Sequence, residues 1–405
     1  MNIEKVTFTN KDEEQLAGRL ELPLNQRPHN FVIFAHCFTC TKNLIAVKNI
    51  SRKLTAAGFA VLRFDFTGLG ESEGDFENTN FSGNVDDLVE AAQFLEAKYQ
   101  SPTVIIGHSL GGAAAIYAAN RISTIKAVAV INSPSDPAHV KNLLRNSTEE
   151  INKTGKATVN LGGVDFTIKK QFLDDLKNKS LKNVGGDFRK SLLILHSPQD
   201  KIVGIKNAED LYIAAHHPKS FISLDGIDHL LTEKEDSAYV GKVIASWASR
   251  YVSIPEEKVI KSKSKVAARL DDVENFTTQL KLGDHNYLAD EPTSYSGNNF
   301  GPSPYELLSA GLAACTVMTI QMYARRKKWE VKEVICHVDY SKDHAVDCEH
   351  CTDDTAKIDT FKRKISFHGN LSEEQIKKLL EIADKCPVHK TLHTETQIIT
   401  VLENK

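Results

Sequence analysis

The run Val104-Ile105-Ile106-Gly107-His108-Ser109-Leu110-Gly111-Gly112, continued by Ala113-Ala114-Ala115, restricts what this chain can fold into more than any other stretch. A short β-branched run that breaks at Gly-x-Ser-x-Gly and opens into alanines predicts a strand, a tight turn and a helix, with the Ser109 hydroxyl held above a parallel sheet. Gly107 and Gly111 flank the serine so closely that a Cβ at either place would collide with a neighbouring strand or helix, and such turns carry strained dihedrals. Ser109 would then begin a helix, where free N–H groups and the positive dipole end favour the negative charge that develops in acyl transfer.

Around this turn, strand and helix signals alternate. Residues 3–22 alternate apolar and polar like a β-hairpin, and Phe31-Val32-Ile33-Phe34-Ala35 is an apolar run of the kind buried inside a parallel sheet. A helix to Gly58, the strand Phe59 to Asp65, a glycine-rich turn 66–74 and a helix over about 84–99 lead into the elbow. The pattern predicts an α/β sheet covered on both faces.

Three segments together, Ala35-His36-Cys37-Phe38, Phe64-Asp65-Phe66-Thr67-Gly68-Leu69-Gly70-Glu71-Ser72 and Gly107-His108-Ser109-Leu110-Gly111-Gly112, resemble the α/β-hydrolase family. The resemblance implies an oxyanion hole made by the backbone N–H groups of Leu110 and Phe38. Family members usually carry glycine where this chain has Cys37. The pair Cys37 and Cys40 forms a Cys-x-x-Cys, which we read as buried packing rather than a redox centre.

The strand 125–131 is followed by an irregular stretch, 134–190, which falls between the strands carrying nucleophile and acid and reads as a small lid over the acyl pocket. Asp200 sits just past the strand 191–196, and His229 lies in the loop after the last short strand, 220–224. The chain order Ser109, Asp200, His229 is that of the family's triad. Asp225 and Asp228 are nearer to His229 but end no central strand, and His108, His196, His216 and His217 read as packing or solvent residues.

After a closing helix, residues 253–264 mark a linker of low apolarity, proline and alternating charge. Beyond it, 266–282 and 330–342 alternate like antiparallel strands. Between them runs an almost uncharged helix with Ser303 as N-cap, Pro304 in its first turn and Glu306 as capping-box partner, expected to be buried on every side. A further helix begins at Ser372, with Gln375 completing its capping box, and ends near Cys386-Pro387-Val388-His389. The segments ending in Cys315 and beginning at Cys386 resemble the OsmC/Ohr family, an α+β fold that generally forms intertwined dimers. In its hydroperoxide reductases a thiolate at the place of Cys315 attacks the peroxide and a thiol at the place of Cys386 resolves the sulfenic acid. This chain has Tyr305 where those enzymes carry glutamate, and no arginine in 270–324. Without a cation, Cys315 is expected to be a weak nucleophile. Cys348 and Cys351, with His350, are weak candidates for a metal site, and we expect no metal there and no cofactor elsewhere.

Composition closes off other classes. The 50 basic and 53 acidic residues are interspersed, giving a net charge of −3 and no reason to expect nucleic acid. The N-terminus lacks a signal-peptide core, and the apolar run 307–322 reads as too short to span a bilayer, so no membrane partner and a cytoplasmic location are expected. The expected architecture is an α/β-hydrolase domain over 1–252 with its lid at about 134–190, a linker 253–264, and an α+β OsmC-like domain over 265–405. The expected function is a carboxylesterase cleaving small acyl esters through Ser109, with a homodimer formed through the OsmC-like domain. The alternative is a thiol-dependent hydroperoxide reductase using Cys315 and Cys386.

Overall fold

A computed structural model describes residues 2–402 apart from 25, 143, 145–146, 162, 180–187, 256–259, 273–274 and 345–356. The weak metal candidates Cys348, His350 and Cys351 lie outside the described residues. The chain divides into two units, Met1–Lys258 and Val259–Lys405.

In the first unit, β1 (Asn2–Thr9) and β2 (Gln15–Leu22) form the antiparallel hairpin. It leads into β3 (Asn30–Ala35), β4 (Phe59–Phe64), β5 (Pro102–His108) and β6 (Ala127–Ile131). The insertion 134–190 contributes its own antiparallel hairpin, β7 (Lys156–Leu161) and β8 (Val164–Lys169), before β9 (Ser191–His196) and β10 (Lys219–Ser223) rejoin the sheet. Eight strands pair in the order β1-β2-β4-β3-β5-β6-β9-β10, parallel from β4 onward. Every residue of β3, β4 and β6 is buried. Such strands need cover on both faces, because alternate side chains point opposite ways. Helices α1 (Ile45–Ala56) and α7 (Lys234–Ala248) cover one face, where Ile50, Leu54, Val240 and Ile244 join Val32, Phe34, Val61, Val104 and Ile106 in a single core. Helices α2 (Phe81–Lys98) and α3 (Leu110–Arg121) cover the other, meeting edge to face at Phe81 and Tyr117. Between β8 and α7 lie two shorter helices, α5 (Lys170–Asp175) and α6 (Lys206–Ala214), and α4 (Thr148–Thr154) precedes β7.

The second unit holds a three-stranded antiparallel sheet, β11 (Val266–Arg269), β12 (Thr278–Leu282) and β13 (His285–Ala289), and a long antiparallel pair, β14 (Glu330–His344) with β15 (Lys357–Asn370). The 24-residue helix α8 (Pro304–Lys327) starts at the capping box read from Ser303 and Glu306, and α9 (Glu373–Ala383) at that of Ser372 and Gln375. Contrary to the sequence reading, α8 is not buried all round. Only Leu312, Thr316, Ile320 and Ala324 are buried, a stripe four residues apart, because β14 and α9 supply packing from one side alone. Met318 and Met322 stay 64% and 73% exposed. The helix extends past the 307–322 run at both ends, and by length and composition alone it is long and apolar enough to cross a membrane.

Candidate active site

Ser109 takes φ +54° and ψ −127°, a strained turn between the end of β5 and the first residue of α3. The flanking glycines are sterically required. A Cβ on Gly107 would overlap the Gly111 carbonyl, and one on Gly111 would overlap the His36 carbonyl. The Leu110 N–H, at the first position of α3, has no partner within its helix.

His229 joins the serine to the acid. Its Nδ1 lies 2.6 Å from Asp200 Oδ2 and its Nε2 lies 3.0 Å from Ser109 Oγ. The other Asp200 oxygen accepts the N–H groups of Ile202 at 2.8 Å and Val203 at 2.9 Å. Burial works against ionisation of Asp200, but His229 and these two N–H groups outweigh it and hold the carboxyl below its usual value. The nearer acids are engaged elsewhere. Asp225 accepts from Ser223, and Asp228 accepts from Leu230 N–H, Thr232 N–H and the Thr232 hydroxyl.

Two residues that the sequence did not single out as functional fix the His229 backbone. His108, read as packing, donates from Nε2 to the His229 carbonyl at 2.7 Å, and Asn132 Nδ2 donates to the same oxygen at 3.1 Å. Asn132 also accepts Ser197 N–H at 2.9 Å, tying the ends of β6 and β9 to this loop. His108 is fully buried and its Nδ1 has no partner, so burial pushes its pKa down to about 3 and it stays neutral.

The loop after β3 carries Phe38. His36 accepts Phe66 N–H at Nε2, which leaves its Nδ1 protonated to donate to the Cys37 carbonyl at 2.8 Å. Cys40 N–H donates to that same carbonyl at 3.2 Å. In a trans peptide the C=O and the following N–H point opposite ways, so anchoring the Cys37 carbonyl also sets the direction of the Phe38 N–H. At its far end the loop is held by fully buried Lys42. The Lys42 ammonium pairs with Asp65 and Glu71, its N–H donates to Asp65 Oδ1 at 2.6 Å, and its carbonyl accepts from Arg63 at 2.7 Å. Cys37 and Cys40 are joined in a disulfide, with Cα atoms 5.2 Å apart, which corrects their reading as a packed thiol pair.

Ser109 and His229 open into a cavity of about 1090 Å³ whose walls include Phe38, Leu44, Ile45, Val164, Ile202 and Leu230. Val164 comes from the hairpin of the 134–190 insertion. Phe172, on the following helix, packs on Phe38 with ring centres 5.0 Å apart.

In the second unit Cys315 and Cys386 are free thiols whose ionisations are linked, and Cys386 Sγ takes the His389 N–H at 3.3 Å. Burial and the neighbouring Cys386 raise the Cys315 pKa. Burial also opposes ionisation of Cys386, but the His389 N–H, Cys315 and Thr316 outweigh it, so Cys386 is the thiol held below its usual value. A cation does reach this cluster. Arg363, on β15, donates to Thr316 Oγ1 at 3.1 Å, and its guanidinium lies 3.0 Å from His389 Nδ1. This arginine lies outside 270–324 because its strand follows α8 in sequence. Tyr305 stacks on Tyr340 at 4.2 Å.

Comparison with known proteins divides along the same line. The family model described as serine aminopeptidase, S33 matches residues 26–161, and that described as OsmC-like protein matches residues 296–401. An esterase domain from a Rhodothermus marinus protein is 52% identical, covering 62% of this chain and 100% of its own, with a TM-score of 0.53. Mouse alpha/beta hydrolase domain-containing protein 10 shares the fold at 21% identity and TM-score 0.52, covering 61% of this chain and 99% of its own. The uncharacterized protein YfhR of Salmonella typhimurium is 25% identical over 232 residues, 56% of this chain and 74% of that protein.

Proposed function

Because the chain belongs to the fused α/β-hydrolase and OsmC-like proteins, we propose that its first unit is a serine carboxylesterase that cleaves small acyl esters through an acyl-enzyme on Ser109. The observation that carries this reading is the line from Asp200 through His229 to Ser109 at the mouth of a largely apolar cavity. His229 takes the serine proton as Ser109 Oγ attacks the ester carbonyl, and Asp200 holds the imidazole tautomer and stabilises the imidazolium. The oxyanion is received by the N–H groups of Leu110 and Phe38. His229 then protonates the leaving alcohol, and water activated by the same imidazole releases the acid. An ester fits the walls better than a peptide N-terminus. A substrate ammonium needs a free carboxylate, and Asp228, the acid in the wall, already accepts three hydrogen bonds while Lys201 adds a cation. A fluorophosphonate probe is expected to label the wild type and not Ser109→Ala, and turnover of a p-nitrophenyl ester should fall roughly 10⁴-fold or more in the variant. Equal labelling, or retained turnover, overturns the assignment.

The juxtaposed thiols favour a second reading for the second unit, reduction of an organic hydroperoxide to alcohol and water with formation of a Cys315–Cys386 disulfide. We further propose that the bare face of α8 is covered by a second copy of the chain, making a homodimer.

A further inference from the structure

The Cys37–Cys40 disulfide lies in the loop that supplies the Phe38 N–H, and both of its residues line the cavity that contains Ser109. Closing a ring between residues three apart in sequence removes little chain entropy compared with a long cross-link, so its main effect is on local shape rather than global stability. The loop's ends are held without it. His36 anchors the Cys37 carbonyl, and Lys42, Asp65 and Arg63 anchor the exit. What the disulfide adds is a covalent limit on the two residues between the cysteines, Phe38 and Thr39. It also keeps Cys40 N–H against the Cys37 carbonyl that sets the direction of the Phe38 peptide. Of the two sulfur-bearing residues, Cys37 is 5% exposed and Cys40 is more open, so attack from the cavity falls on Cys40. The other described cysteines, Cys315, Cys336 and Cys386, are free thiols.

We propose that Cys37–Cys40 is a thiol–disulfide exchange site that takes small-molecule thiols, and that its oxidised form is the one that aligns Phe38 for oxyanion binding. This rests on the reading of Ser109 as nucleophile. A thiolate of the small reductant attacks Cys40 Sγ, forming a mixed disulfide and releasing Cys37 as thiolate, which takes up a proton. A second reductant thiolate attacks the reductant's sulfur in the mixed disulfide and releases Cys40. The protein gains two electrons and two protons, and the reductant leaves as its own disulfide. The reverse exchange with a small disulfide restores the ring. The reduced loop keeps its end anchors but lets the Phe38 peptide rotate, so transition-state stabilisation falls while ground-state binding in the cavity is little changed. Loss of one oxyanion donor costs roughly 10²–10³ in kcat, and loosening one costs part of that.

The test uses the full native chain, kept oxidised or reduced with dithiothreitol, with Cys37 and Cys40 peptides checked by alkylation and mass spectrometry. Reduction is expected to lower kcat on a p-nitrophenyl ester roughly tenfold or more with KM within about twofold, and oxidised glutathione should restore it. A Cys37→Ala/Cys40→Ala variant should stay at the reduced level with or without reductant. Equal kcat in both states, once alkylation proves reduction, overturns the proposal while leaving Ser109 in place. So does a pair that resists alkylation at every dithiothreitol concentration. Failure of the fluorophosphonate to label Ser109 in either state overturns the serine reading instead, and this inference with it.

Discussion

The first unit buries Lys42 with Asp65, Arg63 with Glu21 and His108 against the His229 loop, each side chain holding at least one partner of the same unit. The second leaves its longest helix packed along one stripe, and its final segment carries Ile398 at 87% and Leu402 at 89% exposure. Buried charge is tolerated only where partners are fixed, and an exposed apolar face of this kind marks a surface open to interaction. One unit thus pairs its buried charges internally, and the other leaves bare the face of α8 that the proposed homodimer would cover.

The sharpest way to break this comparison is to separate the units. A chain ending at Ser253, whose carbonyl accepts from Asn30, should remain monomeric and keep ester turnover within about twofold of the full chain. Residues 265–405 alone should be dimeric by light scattering. A dimeric first unit, or a full chain monomeric at micromolar concentration, would place the interface elsewhere or remove it.

The same contrast explains what could be read in advance. Gly107, Ser109 and Gly111 follow a β-branched run and are dictated by backbone sterics, so the elbow was legible, as was the order of Asp200 and His229 past strand ends. His108 and Asn132 were not, because their shared partner is a backbone carbonyl about a hundred residues away and a lone histidine or asparagine carries no period. Arg363 was hidden for the same reason, reaching Thr316 from 47 residues later. The Cys-x-x-Cys spacing was visible, but spacing does not state an oxidation level. For α8 an apolar composition all round implied burial all round, yet a unit of this size offers one packing layer.

A smaller effect concerns acid. His36 is fully buried and neutral by its hydrogen bonds, with burial lowering its pKa to about 4, and His108 lies at about 3. Between the unfolded value near 6.5 and these folded values the unfolded chain binds more protons, so stability is full above about pH 6.5 and declines as pH falls. Asp87, raised by burial to about 7, acts in the opposite sense across the whole range from pH 7 to 4 and offsets part of this loss. The His36 contribution alone is on the order of 3 kcal/mol by pH 4. Urea midpoints measured from pH 7 to 4 should therefore fall, and fall less steeply in His36→Gln. Because both histidines belong to the first unit, the chain ending at Ser253 should show the same acid limb as the full protein. A limb that vanishes on truncation would move the acid-sensitive groups to the second unit.

The smallest effect lies inside the first unit, between its sheet and its insertion. The sheet's inner strands β3, β4 and β6 are buried throughout, whereas β8 exposes Val164, which lines the cavity, and packs mainly through Ile168. A side chain that touches the cavity from an inserted hairpin has little part in holding the fold, so changing it alters the shape offered to the acyl chain without unfolding the protein. Methylenes that fit or fail in an apolar pocket are worth about 1 to 3 kcal/mol of discrimination. Val164→Ala, which removes two methyl groups from the wall, should therefore shift the preferred p-nitrophenyl ester toward longer acyl chains, with kcat/KM ratios between neighbouring lengths changing roughly threefold to tenfold and the thermal midpoint nearly unmoved. Val164→Phe should shift it the other way. Matching chain-length profiles in wild type and both variants would show that the insertion connects β6 to β9 without shaping the substrate, and would return acyl selection to Phe38, Leu44 and Ile45, which also line the cavity.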